Sequence, residues 1–364
     1  MRLVATEFVE PGSILGKAIL NDKGQVLLNE GVELGEKVIQ RLQEKGISYI
    51  YIKDEATADI SFKSAISEEL RKEAMNTIES TFAQVQKESS ISSSFVIEKA
   101  SQRFTEVIRH LLSEIKNNRD LLTLLSDVYT YDNYIFTHSL NVTMYSLAIG
   151  MELQLRPREL ELLGLGAILH DVGKMKIPAE ILLKPGKLTE EEFFEVKKHP
   201  EEGFNILRNV QTISLLVAHC AYQHHERMNG SGYPRGIKGA DIHEYGRIIA
   251  VADVFDAVTS NRVYRRAMLP HDGLEILFAG VGSLFDQKVV EAFRRAVAIY
   301  PVGITVELND GRKGVVSKQN VGVSDRPFVR ILEENGQTVE PYELDMCAEL
   351  TVVITGCDTT FPKE

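Results

Sequence analysis

The sequence predicts a mainly α-helical, multidomain chain with a small α/β module at the N-terminus and a small β module at the C-terminus. Leu, Ile and Val recur at three- and four-residue steps from about 95 to 299, which is the helical period. On either side of that region the pattern changes to short alternating runs separated by Gly, Asn and Asp, which predict strands and turns. With 364 residues, 44% of them apolar, the chain can form two or three domains with their own cores.

The N-terminal segment 1–55 predicts the α/β module. Its runs 16–20 and 25–28 flank an Asn-Asp-Lys-Gly segment and predict a hairpin. Apolar residues at helical spacing from 34 to 42 predict a helix, and the alternating run 47–52 predicts a strand. No residue of this module carries recognisable chemistry. We therefore expect it to regulate the protein, or to contact a second copy or a partner protein.

The remainder of the chain is divided by composition. Residues 56–100 predict a polar linker and then a helix from 66 to 87, ended by the serine-rich run 89–94. A helical domain follows over 101–299, and a β module over 300–364. Within this last module the predicted strands are, in order, 304–308, 313–316, 328–332 and 350–354, the first two joined by an Asn-Asp-Gly turn.

Composition indicates a soluble cytoplasmic protein. No apolar run approaches the roughly 18 residues that a membrane span needs, and the N-terminus does not resemble a signal peptide. Three widely spaced cysteines predict neither a disulfide framework nor a CxxC metal site. A net charge of −11 argues against polymeric nucleic acid as a partner. Between Glu226 and Arg266, however, seven Lys and Arg stand against five Asp and Glu, which suits a small phosphate-bearing ligand.

The nine histidines all lie between His110 and His271, so the helical region carries the chemistry. His170 and Asp171 end an apolar segment, where buried polar groups need hydrogen bonds or a cation. Neighbouring residues on a helix point about 100° apart, so this pair can flank two cations, with the carboxylate bridging them. A self-satisfied His-Asp pair in a core is the alternative. Lys174, one turn after His170, could hold a phosphate oxygen beside such ions.

Two later segments have the same character. His224 and His225 again suit two neighbouring ions, and the Gly-rich loop after them can approach a ligand closely. Asp253 lies in an apolar helix and needs a partner, which a metal supplies. Arg262 and Arg265 can grip phosphate oxygens, although an ion pair between Arg262 and Asp256 is an alternative. His138 and His199, taken singly, could each be ordinary satisfied histidines.

The order and spacing of these residues resemble the HD-GYP phosphodiesterases, which cleave the bacterial second messenger cyclic di-GMP. The resemblance runs from about Tyr129 to Arg266 and includes His170-Asp171 and the Gly232-Tyr233-Pro234 loop. It implies an HD-type helical bundle over the catalytic domain 101–299. It also implies hydrolysis by a hydroxide bridging two divalent metal ions, with pGpG as product and GMP as a possible second product.

The resemblance also assigns residues by position. The implied metal ligands are His138, His170, Asp171, His199, His224, His225 and Asp253. The implied substrate contacts are Lys174, Gly230, Gly232, Tyr233, Pro234, Arg262 and Arg265, with Asp171 and Lys174 as the catalytic pair. Some family members hold a third metal through a Glu where this chain has Tyr134, so two metals are expected. Imidazoles and carboxylates without thiolates favour iron or manganese, with nickel or zinc as alternatives.

Two other functions stay open at this stage. One is a catalytically weak cyclic di-GMP receptor that signals through its flanking modules, for which a missing metal ligand would be the signature. The other is an HD-type phosphohydrolase acting on another nucleotide, against which the Gly-Tyr-Pro loop argues.

Overall fold

The computed structural model of the chain describes residues 1–20, 26–60, 65–117, 134–184, 186–260, 267–320 and 323–360. Its helices are α1 (Glu36–Glu44), α2 (Glu68–Lys87), α3 (Ser90–Asn117), α4 (Tyr134–Glu152), α5 (Pro157–Leu169), α6 (Ala179–Leu182), α7 (Glu190–Val196), α8 (His199–Leu207), α9 (Leu215–Gln223), α10 (Glu244–Thr259), α11 (Pro270–Ala279) and α12 (Gln287–Ala296). Its strands are β1 (Arg2–Ala5), β2 (Ile19–Leu20), β3 (Val26–Leu28), β4 (Tyr49–Ile52), β5 (Thr305–Leu308), β6 (Arg312–Lys318), β7 (Phe328–Glu334), β8 (Gln337–Asp345) and β9 (Ile354–Asp358). The prediction of a mainly helical chain with a small C-terminal sheet is confirmed.

The N-terminal module contains two small antiparallel sheets, β1 with β4 and β2 with β3, beside α1. Strands β2 and β3 correspond to the two arms of the predicted hairpin, and its turn at 21–25 lies outside the described residues. Strand β1 was not predicted from the sequence. It has only four residues, and no turn residue precedes it to mark where a strand begins.

The prediction that the serine-rich run ends the preceding helix is only half right. Helix α2 does end at Lys87, and Glu88 is extended (φ −105°, ψ 158°). The serines themselves, however, form the first turns of α3 rather than a linker. The Ser93 hydroxyl donates to the Val85 carbonyl at 3.3 Å, and the Ser94 hydroxyl donates to a carbonyl of α8 at 2.7 Å. Small hydroxyl side chains therefore allow α3 to begin in close contact with its neighbours.

The helical region contains two apolar cores that share α4. One core includes Phe82 of α2 and Leu140 of α4, and the other includes Tyr145 of α4 with Phe255 and Phe293. Helix α4 therefore packs on both sides, against α2 and α5 and against α10 and α12. Among the described helices, none combines the length and apolar character that crossing a membrane requires.

The C-terminal sheet is antiparallel, with strand order β8-β7-β6-β5-β9. The predicted hairpin between β5 and β6 is confirmed, and Gly311 adopts φ +84° in its turn. The predicted strand 350–354 is misplaced, because β9 begins only at Ile354. Strand β8 was missed, since it carries Pro341 between Glu340 and Glu343. Such residues are tolerated on an edge strand, which is the position that β8 occupies.

The two ends of the chain share a core. Leu3 and Tyr51 of the N-terminal module pack in one apolar cluster with the C-terminal sheet and with Leu269, just before α11. The Leu3 amide donates to the Gly303 carbonyl at 2.8 Å, and the Tyr51 hydroxyl donates to the Val302 carbonyl at 3.1 Å. The flanking modules thus form one unit that contacts the helical bundle beside α11.

Candidate metal centre

The predicted donors come from helix ends and from two helix interiors. His170 caps the C-terminus of α5 and is followed by Asp171, and His224 caps the C-terminus of α9. Helix C-termini carry partial negative charge, which favours a nearby cation. His199 begins α8, whereas His138 lies within α4 and Asp253 within α10. The side chains from the helix ends and from the two helix interiors meet in one buried space. The structure brings all seven predicted donors together.

Local hydrogen bonds set the orientation of three of the rings. His170, His199 and His224 each place Nδ1 against the carbonyl oxygen of the residue three positions earlier, at 2.6, 2.7 and 2.9 Å. Because Nδ1 donates to that carbonyl, each Nε2 carries a lone pair and faces the centre. The Nε2 atoms of His199 and His224 lie 3.2 Å apart. Two lone pairs at that distance repel unless a cation lies between them.

Asp171 joins two groups of histidines. Its Oδ2 lies 3.6 Å from Nε2 of His138 and 3.4 Å from Nε2 of His170. Its Oδ1 lies 3.4 Å from Nε2 of His199 and 3.8 Å from Nε2 of His224. The two carboxylate oxygens therefore face different groups, which is the arrangement that a bridging ligand of two cations needs.

Asp253 connects the same two groups from the opposite helix. Its Oδ1 lies 3.1 Å from Nε2 of His138, and its Oδ2 lies 3.7 Å from Nδ1 of His225. His138, His170 and Asp171 form one set of donors, and His199, His224 and His225 form another, each with its ligand atoms within 4.8 Å of one another.

The residues present fit divalent metal ions. His170 and Asp171 are fully buried, and one polar atom of each, Nε2 of His170 and Oδ1 of Asp171, has no hydrogen-bond partner in the described part of the chain. Leaving such atoms buried and unpaired costs about 1–3 kcal/mol each. Their convergence on one space is therefore explained by cations that ligate them, and imidazole with carboxylate is a donor set for iron or manganese.

Asp256 holds His138 in place, a role that sequence reasoning missed. Its Oδ2 accepts from Nδ1 of His138 at 2.7 Å, and its Oδ1 accepts from Asn141 at 2.9 Å and from the Ser260 hydroxyl at 3.0 Å. The sequence alternative paired Asp256 with Arg262, which lies outside the described residues. The only available signal was the three-residue spacing from Asp253, which places both carboxylates on one helix face.

Substituting Asp256 with Asn should weaken metal binding about 10- to 100-fold while the fold is retained. Asn cannot accept with both side-chain atoms, so His138 loses its fixed tautomer and orientation. Metal affinity is measured by competition with a chelator, and folding by circular dichroism. Unchanged affinity would show that Asp256 does not support the centre.

The Gly-rich loop is attached to the centre at two points. The ring of Tyr233 stacks on His225 with centroids 4.7 Å apart and planes at 28°. The carboxylate of Glu226, only 2% exposed, accepts from the amides of Arg235 at 2.9 Å and Ile237 at 3.1 Å. Sequence analysis gave Glu226 no role. Its buried carboxylate fixes the end of the loop.

Of the predicted substrate contacts on Lys and Arg side chains, one lies at the centre and two lie outside the described residues. Lys174 lies at the centre, with Nζ 2.5 Å from Oδ2 of Asp171. Arg262 and Arg265 lie outside the described residues, so their predicted role stays a prediction. The backbone of Tyr134 begins α4, but its side chain is likewise not described.

Burial and charge set the protonation of the metal-free centre. Burial lowers the pKa of His199 to about 4, and it lowers the pKa of His224 and that of His225 well below the usual value. Burial also opposes the charged form of His138, but two neighbouring aspartates outweigh it and raise its pKa to about 9. At neutral pH three imidazoles are therefore neutral bases, and His138 must release a proton before it can ligate a metal.

The metal-free protein should be most stable at about pH 6.5, the pKa of an unfolded histidine. The lowered pKa of His199 contributes stability above pH 6.5 that is lost as pH falls to 4. The raised pKa of His138 contributes stability below pH 6.5 that is lost as pH rises through 9. Melting temperatures of chelator-treated protein from pH 4 to 9 measure this, and a flat profile would contradict it.

The family follows from comparison with known proteins. A family model described as HD domain matches residues 106–289, which is half of the 364-residue chain. The chain belongs to the HD-domain family. The sequence-based resemblance is thereby confirmed.

Curated relatives are phosphodiesterases. A cyclic di-GMP phosphodiesterase of Pseudomonas aeruginosa is 37% identical over 216 residues, covering 59% of this chain and 52% of the relative. The cyclic di-GMP phosphodiesterase response regulator RpfG of Xanthomonas campestris is 44% identical over 151 residues, covering 41% and 40%. The 3'3'-cGAMP-specific phosphodiesterase 1 of Vibrio cholerae is 41% identical over 144 residues, covering 40% and 33%. The chain thus matches about half, or less, of the length of these relatives.

Proposed function

We propose that this HD-domain protein hydrolyses cyclic di-GMP to linear pGpG at a centre of two divalent metal ions, iron or manganese. The observation that carries the proposal is the position of Asp171, whose two oxygens face two separate groups of histidines. The P. aeruginosa and X. campestris relatives, named as cyclic di-GMP phosphodiesterases, support this choice of substrate.

Bound divalent ions supply Lewis acidity toward a phosphoryl oxygen and lower the pKa of a coordinated water. The ligand set proposed for them is His138, His170, Asp171, His199, His224, His225 and Asp253. Because these side chains are buried or nearly so, they are held rigidly and need little reorganisation during the reaction.

The chain's own groups then bind and orient the dinucleotide. Lys174, beside Asp171, presents an ammonium at the centre and can donate a hydrogen bond to a phosphate oxygen. Burial raises the pKa of Tyr233, so its hydroxyl stays protonated as a neutral hydrogen-bond donor. Its ring, stacked on His225, keeps that hydroxyl in a fixed place. Together with Arg262 and Arg265, these residues form the proposed substrate site.

The proposed product is pGpG because the resemblance places Tyr134 where a third metal ligand would stand. With two metals held by the seven donors and no third ligand at Tyr134, hydrolysis of the first phosphodiester bond would be efficient and the second cleavage to GMP would be slow. A second candidate substrate is 3'3'-cGAMP, which the similarity to the V. cholerae cGAMP-specific enzyme favours. It shares the ring of two phosphodiesters and differs in one base.

The test is a product assay on protein purified anaerobically and loaded with iron or manganese. Cyclic di-GMP, 3'3'-cGAMP and a mononucleotide are supplied at equal concentration, and the products are separated by chromatography. We expect pGpG to accumulate before GMP and cyclic di-GMP to be consumed fastest. Faster turnover of 3'3'-cGAMP would select the second candidate. Tight binding without turnover would identify a receptor, and hydrolysis of the mononucleotide alone would identify another phosphohydrolase.

A further inference from the structure

A stack of side chains connects the Gly-rich loop to the two helices beside it. The guanidinium carbon of Arg235, in the loop, lies 4.9 Å from the ring centroid of Tyr222 in α9. The Tyr222 ring stacks on that of Phe204 in α8, with centroids 4.6 Å apart and planes at 22°. We call Phe204 and Tyr222 the aromatic pair. Through this pair the loop contacts α8 and α9, the helices that carry His199 and His224 at their ends.

The loop is held by two of its side chains, two residues apart. Tyr233 stacks on His225. Arg235 lies over Tyr222, which is three positions before His225 in the chain. The backbone at Arg235 is fixed as well, since its amide donates to the Glu226 carboxylate at 2.9 Å. With its side chain and its amide both bound, Arg235 limits how far the Tyr233 ring can move from His225.

We propose that Arg235 is a positioning residue, whose contact with the aromatic pair holds the Gly-rich loop where Tyr233 can meet the substrate. The inference rests on the proposed function, in which the Tyr233 hydroxyl donates to the dinucleotide. Arg235 is exposed, so burial does not force its side chain against the protein. Its guanidinium gains from lying over a tyrosine ring through the cation–π interaction, and this gain draws the loop onto α9. The consequence is tighter substrate binding, since neither Arg235 nor Tyr233 is among the proposed metal ligands.

Arg208 provides the matched control. It is also exposed, and its guanidinium carbon lies 5.6 Å from the ring centroid of Phe204, the other member of the aromatic pair. It lies at the C-terminal end of α8 and is not part of the loop. Arg208→Met therefore removes the same kind of contact from the same pair of rings without releasing the loop, whereas Arg235→Met releases it.

The first experiment measures the loop itself, by hydrogen exchange of the metal-loaded protein without substrate. Losing an exposed cation–π contact should speed amide exchange over residues 229–237 of Arg235→Met by about two- to fivefold. Arg208→Met should exchange over the same range at the wild-type rate. Tyr222→Phe, which keeps the ring, should also behave like the wild type. Tyr222→Leu, which removes the ring, should behave like Arg235→Met.

The second experiment measures steady-state hydrolysis of cyclic di-GMP by the same proteins. A loop that opens more often binds substrate less tightly, so Arg235→Met should raise KM by about two- to fivefold. Its kcat and its metal content should stay at the wild-type level. Arg208→Met should match the wild type in KM, kcat and metal content. A lower kcat together with a lower metal content and melting temperature would make Arg235 merely structural and overturn the proposal.

The remaining outcomes separate the two claims. If the wild-type protein does not hydrolyse cyclic di-GMP, the proposed function fails and the substrate role of Arg235 fails with it, even where exchange shows that the residue holds the loop. A higher KM of Arg235→Met with unchanged exchange would indicate direct contact with the substrate and overturn the positioning role. Faster exchange with unchanged KM would also overturn it, because the position of the loop would then not matter for substrate binding.

Discussion

Replacing Asp171 with Ala should abolish metal retention and phosphodiester hydrolysis together. The two oxygens of this carboxylate reach two histidines in each of the two groups, at 3.4 to 3.8 Å. Without it, each set of imidazoles loses its anionic ligand, and the charge of two cations has only Asp253 to balance it. Losing metal chemistry costs several kcal/mol of transition-state stabilisation, so activity should fall at least about 1000-fold.

Elemental analysis and a cyclic di-GMP assay on the same preparation measure both effects. Asp171→Asn is the informative companion, because it keeps the volume and one acceptor oxygen but removes the charge and the second acceptor. Asp241→Ala, at an exposed position, is the matched control and should retain metal and activity. An Asp171→Ala protein that kept full activity with its metals removed would overturn the dinuclear proposal.

The sequence pointed to side chains that the structure brings together, because their chemistry is visible in residue types. A His-Asp pair or an Asp inside an apolar helix is a costly burial, and Asp253 and His170 stand out for that reason alone. Their supports were less visible. Asp256 contacts His138, which is 118 positions away in the chain. The sequence shows only that Asp256 lies on the same helix face as Asp253, not which residue it contacts.

The flanking elements were harder to predict for a different reason. Strand β8 carries Pro and Glu because it lies at the sheet edge, and edge position cannot be known before the strand order. The serines at the start of α3 have modest helix propensity, and tertiary contacts of Ser93 and Ser94 override it. Secondary-structure propensity therefore gave wrong predictions where tertiary packing determines the structure. The buried donors could be recognised from their residue types alone.

Gly173→Ala should disrupt the centre although residue 173 ligates nothing. A Cβ at this position would lie 2.0 Å from the carbonyl oxygen of His199 and 2.5 Å from the amide nitrogen of Gly203. Both contacts are backbone atoms of α8, which cannot rotate away, so the helix must shift by more than an ångström. Gly173 lies two residues after Asp171, so the clash would push Asp171 away from His199. Oδ1 of Asp171 and Nε2 of His199 lie 3.4 Å apart in the structure.

We expect this single methyl group to cost at least about 1–3 kcal/mol of stability and to lower metal affinity about 10- to 100-fold. Calorimetry measures the first effect and chelator competition the second. Gly35→Ala is the control, since a Cβ there would meet no atom within 4 Å and its φ is −82°. Because Gly35 is the N-cap of α1, this change should cost up to about 1 kcal/mol of stability and leave metal affinity unchanged. If Gly173→Ala bound metal as tightly as the Gly35 variant, the close approach of the two backbones would not be what positions His199 against Asp171.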